Sequence, residues 1–220
     1  MSSRFAETGY TDKLALRQQT TMAPPHCSSK IDIVLCISGM AGCGKSTVAK
    51  KLAEKYKLRY FSGGDALKAL ALEAGYKSAK RGWWESEEGR AFLKQRIQDP
   101  SFDRKVDQKL LEWAKQGNVV LDSWTMAWLH KGGFKIWLEA SPEERAKRIG
   151  KRDRISFEKA LAALKERDAK TKAVYNDLYG FDLGEDFSPF DLILDVTHLN
   201  QEEVFQTLSL AINRIYIKAR

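Results

Sequence analysis

The 220-residue sequence predicts an α/β fold in which helices cover both faces of a parallel, five-stranded sheet. Three observations support this prediction. Short apolar runs rich in β-branched residues recur along the chain, and such continuity is typical of strands buried on both faces. Segments with helical spacing separate these runs, as in repeated βα units. A glycine-rich loop joins the first strand to the first helix.

Five runs carry the strand prediction. The first, residues 31–37 (IDIVLCI), is nearly all apolar and leads directly into the glycine-rich loop. The others are residues 59–61, 119–121, 134–138 and 191–195. With helices between them, these strands are expected to run parallel through right-handed crossovers.

Helical spacing fills most of the intervening chain, at residues 48–56, 65–74, 102–116, 155–179 and 201–218. The segment Ser141-Pro142-Glu143-Glu144 predicts a further helix start. Its serine suits the cap, its proline suits the first position, and a glutamate follows three residues after the serine. Residues 75–99 interrupt the rhythm with glycines, charges and the pair Trp83-Trp84. We interpret this segment as an inserted helical flap.

The first thirty residues differ from the rest of the chain, being rich in serine and threonine. They lack the apolar core of a secretory signal, and acidic residues such as Glu7 and Asp12 are atypical of transit peptides. Residues 1–30 are therefore expected to form a flexible tail. A shorter product beginning at Met22 is a further hypothesis, which the intact mass of the native protein would test.

Composition limits the class of partner without choosing one. The chain carries 37 Lys and Arg against 29 Asp and Glu, a net charge of +8. This balance favours nucleotides, nucleic acid, acidic metabolites or a membrane surface. No run approaches the roughly 18 apolar residues of a membrane helix, so we expect no membrane association through a span.

The three cysteines, Cys27, Cys36 and Cys43, lie nine and seven residues apart, so no zinc-binding pattern is present. An odd and small number of cysteines indicates a reducing compartment. We therefore expect a cytoplasmic location. The three histidines are scattered and are interpreted as ordinary polar positions.

The glycine loop, defined here as residues 39–47, fits the pattern G-x-x-x-x-G-K-S. Its glycines allow successive backbone N–H groups to point at one anion, and the following helix adds its positive end. Lys45 is expected to reach the β- and γ-phosphates, and the Ser46 hydroxyl to bind Mg²⁺. The predicted phosphate-binding residues are Gly39, Met40, Ala41, Gly42, Cys43, Gly44, Lys45, Ser46 and Thr47.

Asp122 follows the buried run 119–121. Ligands gather at the carboxyl ends of parallel strands, so this carboxylate is a candidate for holding Mg²⁺ or touching a substrate. A cap for a turn or helix is the alternative.

The order of motifs resembles that of nucleoside monophosphate kinases, most closely the short cytidylate kinases of archaeal type. The first phrase that carries the resemblance is ISGMAGCGKSTVAKKLAEKYKLRYFSGGDALKALA. The second is SFDRKVDQKLLEWAKQGNVVLDS, and later ones are FKIWLEASPEERAKRI, ISFEKALAALKERD, YNDLYGFDL and FDLILD. Together they cover residues 31–200, most of the chain.

The resemblance implies a P-loop kinase with a three-layer fold at residues 31–220. It places an acceptor-binding insert at about residues 65–110 and a basic lid at about residues 148–180. It also implies transfer of a phosphoryl group from ATP, with Mg²⁺, to a nucleoside monophosphate, usually CMP or dCMP.

Positions that match the family's motifs supply further candidates. Ser62, Asp65 and Lys68 match the acceptor-binding helix, although the family usually has arginine at Lys68. Asp103 and Asp107 match acidic residues near the acceptor base or sugar. The resemblance implies that Arg148, Arg152 and Arg167 lie in the mobile lid and clamp the transferred group.

Charge agrees with a basic lid, because residues 143–172 contain eleven basic and six acidic side chains. Charge stabilisation and alignment do most of the work in phosphoryl transfer. We assign the phosphate role to the three lid arginines together. Most individual lysines are interpreted as part of a solvated helix face with intrahelical ion pairs.

The sequence departs from the family pattern mainly in the regions expected to bind the acceptor. Trp124 stands where the family often has arginine after the strand, and Ala173 and Val174 stand where further lid arginines are usual. The flap is also longer than expected. Four tryptophans form either an aromatic wall for the acceptor or ordinary packing, namely Trp83, Trp84, Trp124 and Trp128.

These departures keep alternatives open. One is a related kinase with another acceptor, such as AMP, UMP or a small metabolite. Another is a nucleotide-binding or RNA-associated protein without transfer activity, although no RNA-binding signature accompanies the charge. We expect nucleotide partners rather than nucleic acid. A monomer and a small homo-oligomer are both compatible with the sequence.

Overall fold

The computed structural model describes residues 32–77 and 82–217. The expected tail, the hypothetical start at Met22 and the cysteine at position 27 lie outside these ranges. Within them, no helix is both long and apolar enough to cross a bilayer.

A five-stranded sheet forms the centre of the fold, as predicted. Its strands are β1 (Val34–Ser38), β2 (Arg59–Ser62), β3 (Val119–Asp122), β4 (Phe134–Glu139) and β5 (Leu192–Asp195). Their order in the sheet is β2-β3-β1-β4-β5, and every neighbouring pair is parallel. The glycine loop therefore leaves the central strand, and Asp122 ends the strand beside it.

Helices connect the strands. They are α1 (Lys45–Tyr56), α2 (Gly63–Glu73), α3 (Glu87–Gln98), α4 (Ser101–Lys115), α5 (Met126–Leu129), α6 (Pro142–Asp153), α7 (Phe157–Tyr179) and α8 (Gln201–Ile212). The flap contains a 3₁₀ turn at Trp83–Glu85 and then α3, in agreement with the predicted inserted helix. The last predicted helix is regular only to Ile212, because Asn213–Ile217 continue as a π-helical turn.

Alternate residues of β1 build two separate cores, one on each face of the sheet. Leu35 and Ile37 pack with α1 and α8, whereas Val34 and Cys36 pack with α2 and α4. All four side chains are buried. Burial on both faces explains why the strand reads as a continuous apolar run.

The start of α6 follows the predicted pattern. The Ser141 side chain accepts a hydrogen bond from the Glu144 N–H, and Pro142 occupies the first helical turn. The helix ends at Asp153, and α7 returns against it through Ala146, Ile149, Ala160 and Leu164. This helical pair carries all three predicted lid arginines.

Candidate active site

The glycine loop adopts backbone conformations that require glycine. Gly39, Gly42 and Gly44 have φ angles of 141°, 84° and 99°. A Cβ atom at Gly39 would lie 2.3 Å from the Leu138 carbonyl oxygen. The loop can therefore pass close to β4 and enter α1 at Lys45, where the N–H groups of the first turn remain available to an anion.

Lys45 folds back over the loop. Its Nζ donates to the Met40 carbonyl oxygen at 3.0 Å and lies 5.8 Å from the centroid of the Trp124 ring. The indole N–H of Trp124 in turn donates to the Gly39 carbonyl oxygen at 2.9 Å. Trp124 therefore supports the loop that holds the lysine, although it brings no charge of its own.

Ser46 and Asp122 meet at the edge of the sheet. The Ser46 hydroxyl donates to Asp122 Oδ2 at 2.5 Å, and the Tyr60 hydroxyl donates to the same oxygen at 3.0 Å. Burial and the charge of Asp122 raise the pKa of Tyr60, so this hydroxyl keeps its proton at neutral pH. Sequence reasoning missed Tyr60, although its position near the end of an adjacent strand was a signal.

Two cavities flank the glycine loop. We call the first, of about 570 Å³, the α4 cavity, and the second, of about 790 Å³, the α8 cavity. Lining residues of the α4 cavity include Lys45, Ser46, Asp65, Lys68, Trp83, Trp84, Asp103, Asp107, Asp122, Trp124, Arg152 and Arg167. Those of the α8 cavity include Cys43, Gly44, Thr47, Arg148, Arg152, His198, Leu199 and Gln201. Arg152 lines both cavities.

On the α2 side, the expected acceptor-binding residues have different surroundings. The Ser62 side chain caps α2 by accepting from the Asp65 N–H at 3.1 Å. Asp65 and Lys68 line the α4 cavity, and the Lys68 ammonium lies 5.8 Å from the Trp83 ring centroid. Ser62 therefore orients the helix, while the other two face the space beside it.

Asp103 is held by a buried arginine that sequence reasoning missed. Arg96 donates through Nε and one terminal nitrogen to the two Asp103 oxygens, at 2.9 and 2.5 Å. The Tyr175 hydroxyl donates to Asp103 Oδ1 at 2.9 Å. All three side chains are buried, so the charge of Asp103 is neutralised within the protein.

Asp107, one turn further along α4, has two hydroxyl donors among the described residues. Thr125 and Tyr179 donate to its two oxygens at 2.5 and 2.7 Å. Burial raises the pKa of Asp107 to about 7, although both hydrogen bonds oppose that rise. Of the two aspartates in α4, Asp107 is therefore the one whose charge can respond to a bound ligand.

The three lid arginines do not form one group. Arg148 donates to the carbonyl oxygens of Cys43 at 3.2 Å and Val196 at 2.7 Å, and it lines only the α8 cavity. Arg152 forms two hydrogen bonds to Asp153, at 2.8 and 2.5 Å. The structure brings Arg152 and Arg167, but not Arg148, to the α4 cavity.

Arg167 is almost fully buried, at 7% exposure, yet it is weakly paired. Its guanidinium carbon lies 4.5 Å from the Trp84 ring centroid and 5.5 Å from that of Trp124. Its nearest carboxylate is Glu85, at 3.5 Å. Burial lowers the pKa of Arg167 to about 10, and its Nε makes no hydrogen bond within the described ranges. A buried cation this poorly compensated favours an anion in the adjoining cavity.

Three of the four tryptophans considered for an aromatic wall lie at one cavity. Trp83, Trp84 and Trp124 line the α4 cavity. Trp128 does not line this cavity; it stacks on Phe181, with ring centroids 4.1 Å apart, and packs against a cluster that also contains Trp124. For Trp128, the packing alternative is therefore the right one.

Comparison with known proteins identifies the family. Residues 34–198 match the cytidylate kinase-like family. The chain belongs to this family. A cytidylate kinase from Methanocaldococcus jannaschii is 37% identical over 188 residues, covering 83% of this chain and 99% of the relative. A cytidylate kinase from Pyrococcus horikoshii is 35% identical over 187 residues, covering 84% of this chain and 91% of the relative.

Solved structures support the kinase fold of this cytidylate kinase-like chain. A shikimate kinase from Acinetobacter baumannii in complex with shikimate has a TM-score of 0.51 and 17% identity, covering 84% of this chain and 96% of that chain. A protein from Eubacterium ventriosum has a TM-score of 0.54 and 16% identity, covering 84% and 99%. The predicted family and α/β kinase fold are thus confirmed.

Proposed function

We propose that this protein transfers the γ-phosphoryl group of ATP to CMP or dCMP, giving the nucleoside diphosphate. One observation carries the proposal: the glycine loop, with Lys45, lies between two cavities, and Arg152 lines both. A donor and an acceptor bound in separate cavities would meet at the loop. The cytidylate kinase relatives support CMP as the acceptor.

The α8 cavity is the proposed site of the ATP base and ribose. Its wall includes the Arg148 guanidinium, which backbone carbonyl oxygens hold in place. A planar, fixed guanidinium suits stacking against a purine ring. From this cavity the triphosphate would extend across the backbone N–H groups of the glycine loop to Lys45.

Magnesium fits the oxygen atoms of Ser46 and Asp122, which already lie within 2.5 Å of each other. Hydroxyl and carboxylate oxygens are ligands that Mg²⁺ prefers, usually with substrate phosphates and water. No cluster of three or more potential metal ligands from histidine, cysteine or acidic residues occurs within the described ranges. When bound, the ion would neutralise charge on the phosphates.

The α4 cavity is the proposed site of the monophosphate. Lys68 supplies positive charge near its wall, while Asp107 offers a carboxyl group for the amino edge of cytosine. Asp103 is less suited to this role because Arg96 already neutralises it. Trp84 and Trp124 add apolar surface for the acceptor.

Catalysis in this account comes from charge and alignment. Lys45, Arg152 and Arg167 surround the place where the two substrates would meet, and their positive charges would stabilise the phosphoryl group in flight. The effect is strongest for Arg167, which is buried, because water screens its charge poorly. Closure of α6 and α7 over the substrates would exclude water from the transfer.

An acceptor panel tests the proposal. ADP formation from ATP and Mg²⁺ is measured with CMP, dCMP, UMP, AMP and shikimate at one concentration. CMP and dCMP are expected to give the largest rates. If CMP and dCMP gave only background rates while another acceptor was turned over rapidly, the cytidylate assignment would be contradicted. The site beside Trp124 would then be specific for that other acceptor.

A further inference from the structure

We propose that Glu85, together with Trp84, is a positioning residue that holds the Arg167 guanidinium at the edge of the α4 cavity. The inference rests on the proposed function, because Arg167 matters only if an anion binds beside it. The inference also connects the flap with the lid, two regions that are far apart in the sequence.

The geometry places the Glu85 carboxylate between two guanidinium groups. One of its oxygens lies 3.5 Å from Arg167, and the other lies 3.5 Å from Arg152. The Glu85 side chain is only 5% exposed. Glu85 therefore joins the 3₁₀ turn of the flap to both helices of the lid. Arg167 lies 82 residues further along the chain than Glu85.

The carboxylate approaches the arginines from outside the cavity. Arg152 and Arg167 both line the α4 cavity, but Glu85 does not. Glu85 can therefore fix one end of the Arg167 guanidinium without occupying the space that a phosphoryl group would need. An arginine has five N–H donors, so the remaining donors stay available to the cavity.

The pairing is loose enough to leave the positive charge effective. Both contacts, at 3.5 Å, exceed the roughly 2.7–2.9 Å of strong charge-assisted hydrogen bonds. One Glu85 oxygen has no hydrogen-bond partner in the described part of the chain. Glu85 thus reduces the cost of burying Arg167 without saturating its hydrogen-bonding capacity.

The Trp84 ring lies against the same guanidinium. Its ring centroid lies 4.5 Å from the guanidinium carbon, the closest cation–π contact in the described residues. Neighbouring residues of one turn therefore supply both a flat surface and a counter-charge to Arg167. Movement of the flap would displace the guanidinium, so the flap and the catalytic charge are expected to be coupled.

A double-mutant cycle on the full-length protein tests this role. The rate kcat is measured with ATP, Mg²⁺ and the preferred acceptor for Glu85→Gln, Arg167→Ala and the double variant. Glu85→Gln should lower kcat about tenfold, with a smaller change in the KM for ATP. In the Arg167→Ala background the same change should lower kcat clearly less, by about two- to threefold, because only the Glu85 contact to Arg152 remains.

Glu87→Gln is the matched control, because Glu87 is exposed two residues further along. It should leave kcat unchanged. If Glu85→Gln fails to fold, Trp84→Leu takes its place in the cycle, with thermal unfolding measured for every variant. An unchanged kcat, or an equal fall in both backgrounds, would overturn the positioning role. Wild-type protein without turnover of any acceptor would instead refute the proposed function.

Discussion

The two cavities beside the glycine loop are built in different ways. The glycine loop forms one wall of the α8 cavity, and α6 adds Arg148, which backbone carbonyl oxygens and Glu144 hold in place. The α4 cavity depends on aromatic rings and on buried charged groups from distant segments. Examples of these charged groups are Arg96, Asp107 and Arg167. A phosphate-binding loop can thus be formed by consecutive residues, whereas an acceptor site with buried charge must be assembled by the whole fold.

The largest expected effect on kcat comes from a change in the glycine loop, which lies between the two cavities. Lys45→Ala removes the ammonium group that lies over the glycine loop and should lower kcat by about 100-fold or more. A coupled ADP assay measures it, with the exposed Lys131→Ala as control. Turnover within a few-fold of wild type would show that the loop does not grip the reacting phosphates.

Two conservative arginine changes sharpen the contrast between the cavities. Arg167→Lys loses the planar group that stacks on Trp84, so kcat should fall about 30-fold or more with little change in the KM for ATP. Arg148→Lys should instead raise the KM for ATP about tenfold and change kcat less. Steady-state kinetics with each substrate varied separates them. The same kinetic signature for both variants would contradict the division between donor and acceptor sides.

Asp107 gives a test that depends on pH. Burial raises the pKa of this group to about 7 in the folded protein, from about 3.9 when unfolded, so folding binds a proton between these values. The wild-type protein therefore loses stability as the pH rises through that window. Above the window, the full free-energy cost of burying the ionised Asp107 carboxylate remains. The unfolding free energy of Asp107→Asn, relative to that of the wild type, should therefore rise by roughly 2 kcal/mol from pH 5 to pH 8.

Urea unfolding at both pH values measures this difference. The same variant should raise the KM for CMP about tenfold, because a carboxyl group facing the acceptor is lost. Asp65→Asn, which removes a carboxylate from the same cavity, is the control for pH dependence. A stability difference between wild type and Asp107→Asn that does not change with pH would contradict a raised pKa at this site.

The smallest expected effect compares two tryptophans. The indole N–H of Trp124 donates to Gly39, and that of Trp128 donates to Asp186 at 2.8 Å. Phenylalanine at either position loses one hydrogen bond, which costs about 1 kcal/mol of unfolding free energy. Only Trp124→Phe should also lower kcat, about threefold, since only Trp124 supports the glycine loop. Equal kcat values for Trp124→Phe and Trp128→Phe would contradict a specific role of Trp124 in supporting the glycine loop.

Local signals predicted the fold well. Residues 34–37 of the predicted run lie in the buried central strand, and the serine, proline and glutamate at 141–144 began α6 as expected. These features depend on neighbours in the chain, namely burial on both faces of a strand and capping of a helix. The π-helical turn after Ile212 was not predicted, because the helical periodicity continues through it.

The α4 cavity was predicted only in outline. The family resemblance pointed to Asp103, Asp107 and Arg167. It did not point to Arg96, which pairs with Asp103, or to Glu85, which pairs with Arg167. Glu85 and Arg167 are 82 residues apart, and no short-range pattern reports which carboxylate a buried arginine will meet. The same reason explains why Arg148 was grouped with the other lid arginines, although α6 turns it toward the α8 cavity.

The central claim is that one site between the two cavities moves a phosphoryl group from ATP to CMP. ³¹P nuclear magnetic resonance follows both products directly in a mixture of the purified protein, ATP, Mg²⁺ and CMP. We expect ADP and CDP to appear in equal amounts, and both to form at least about 100-fold more slowly with Lys45→Ala. ADP that accumulates without CDP, from folded protein that binds both nucleotides, would contradict it.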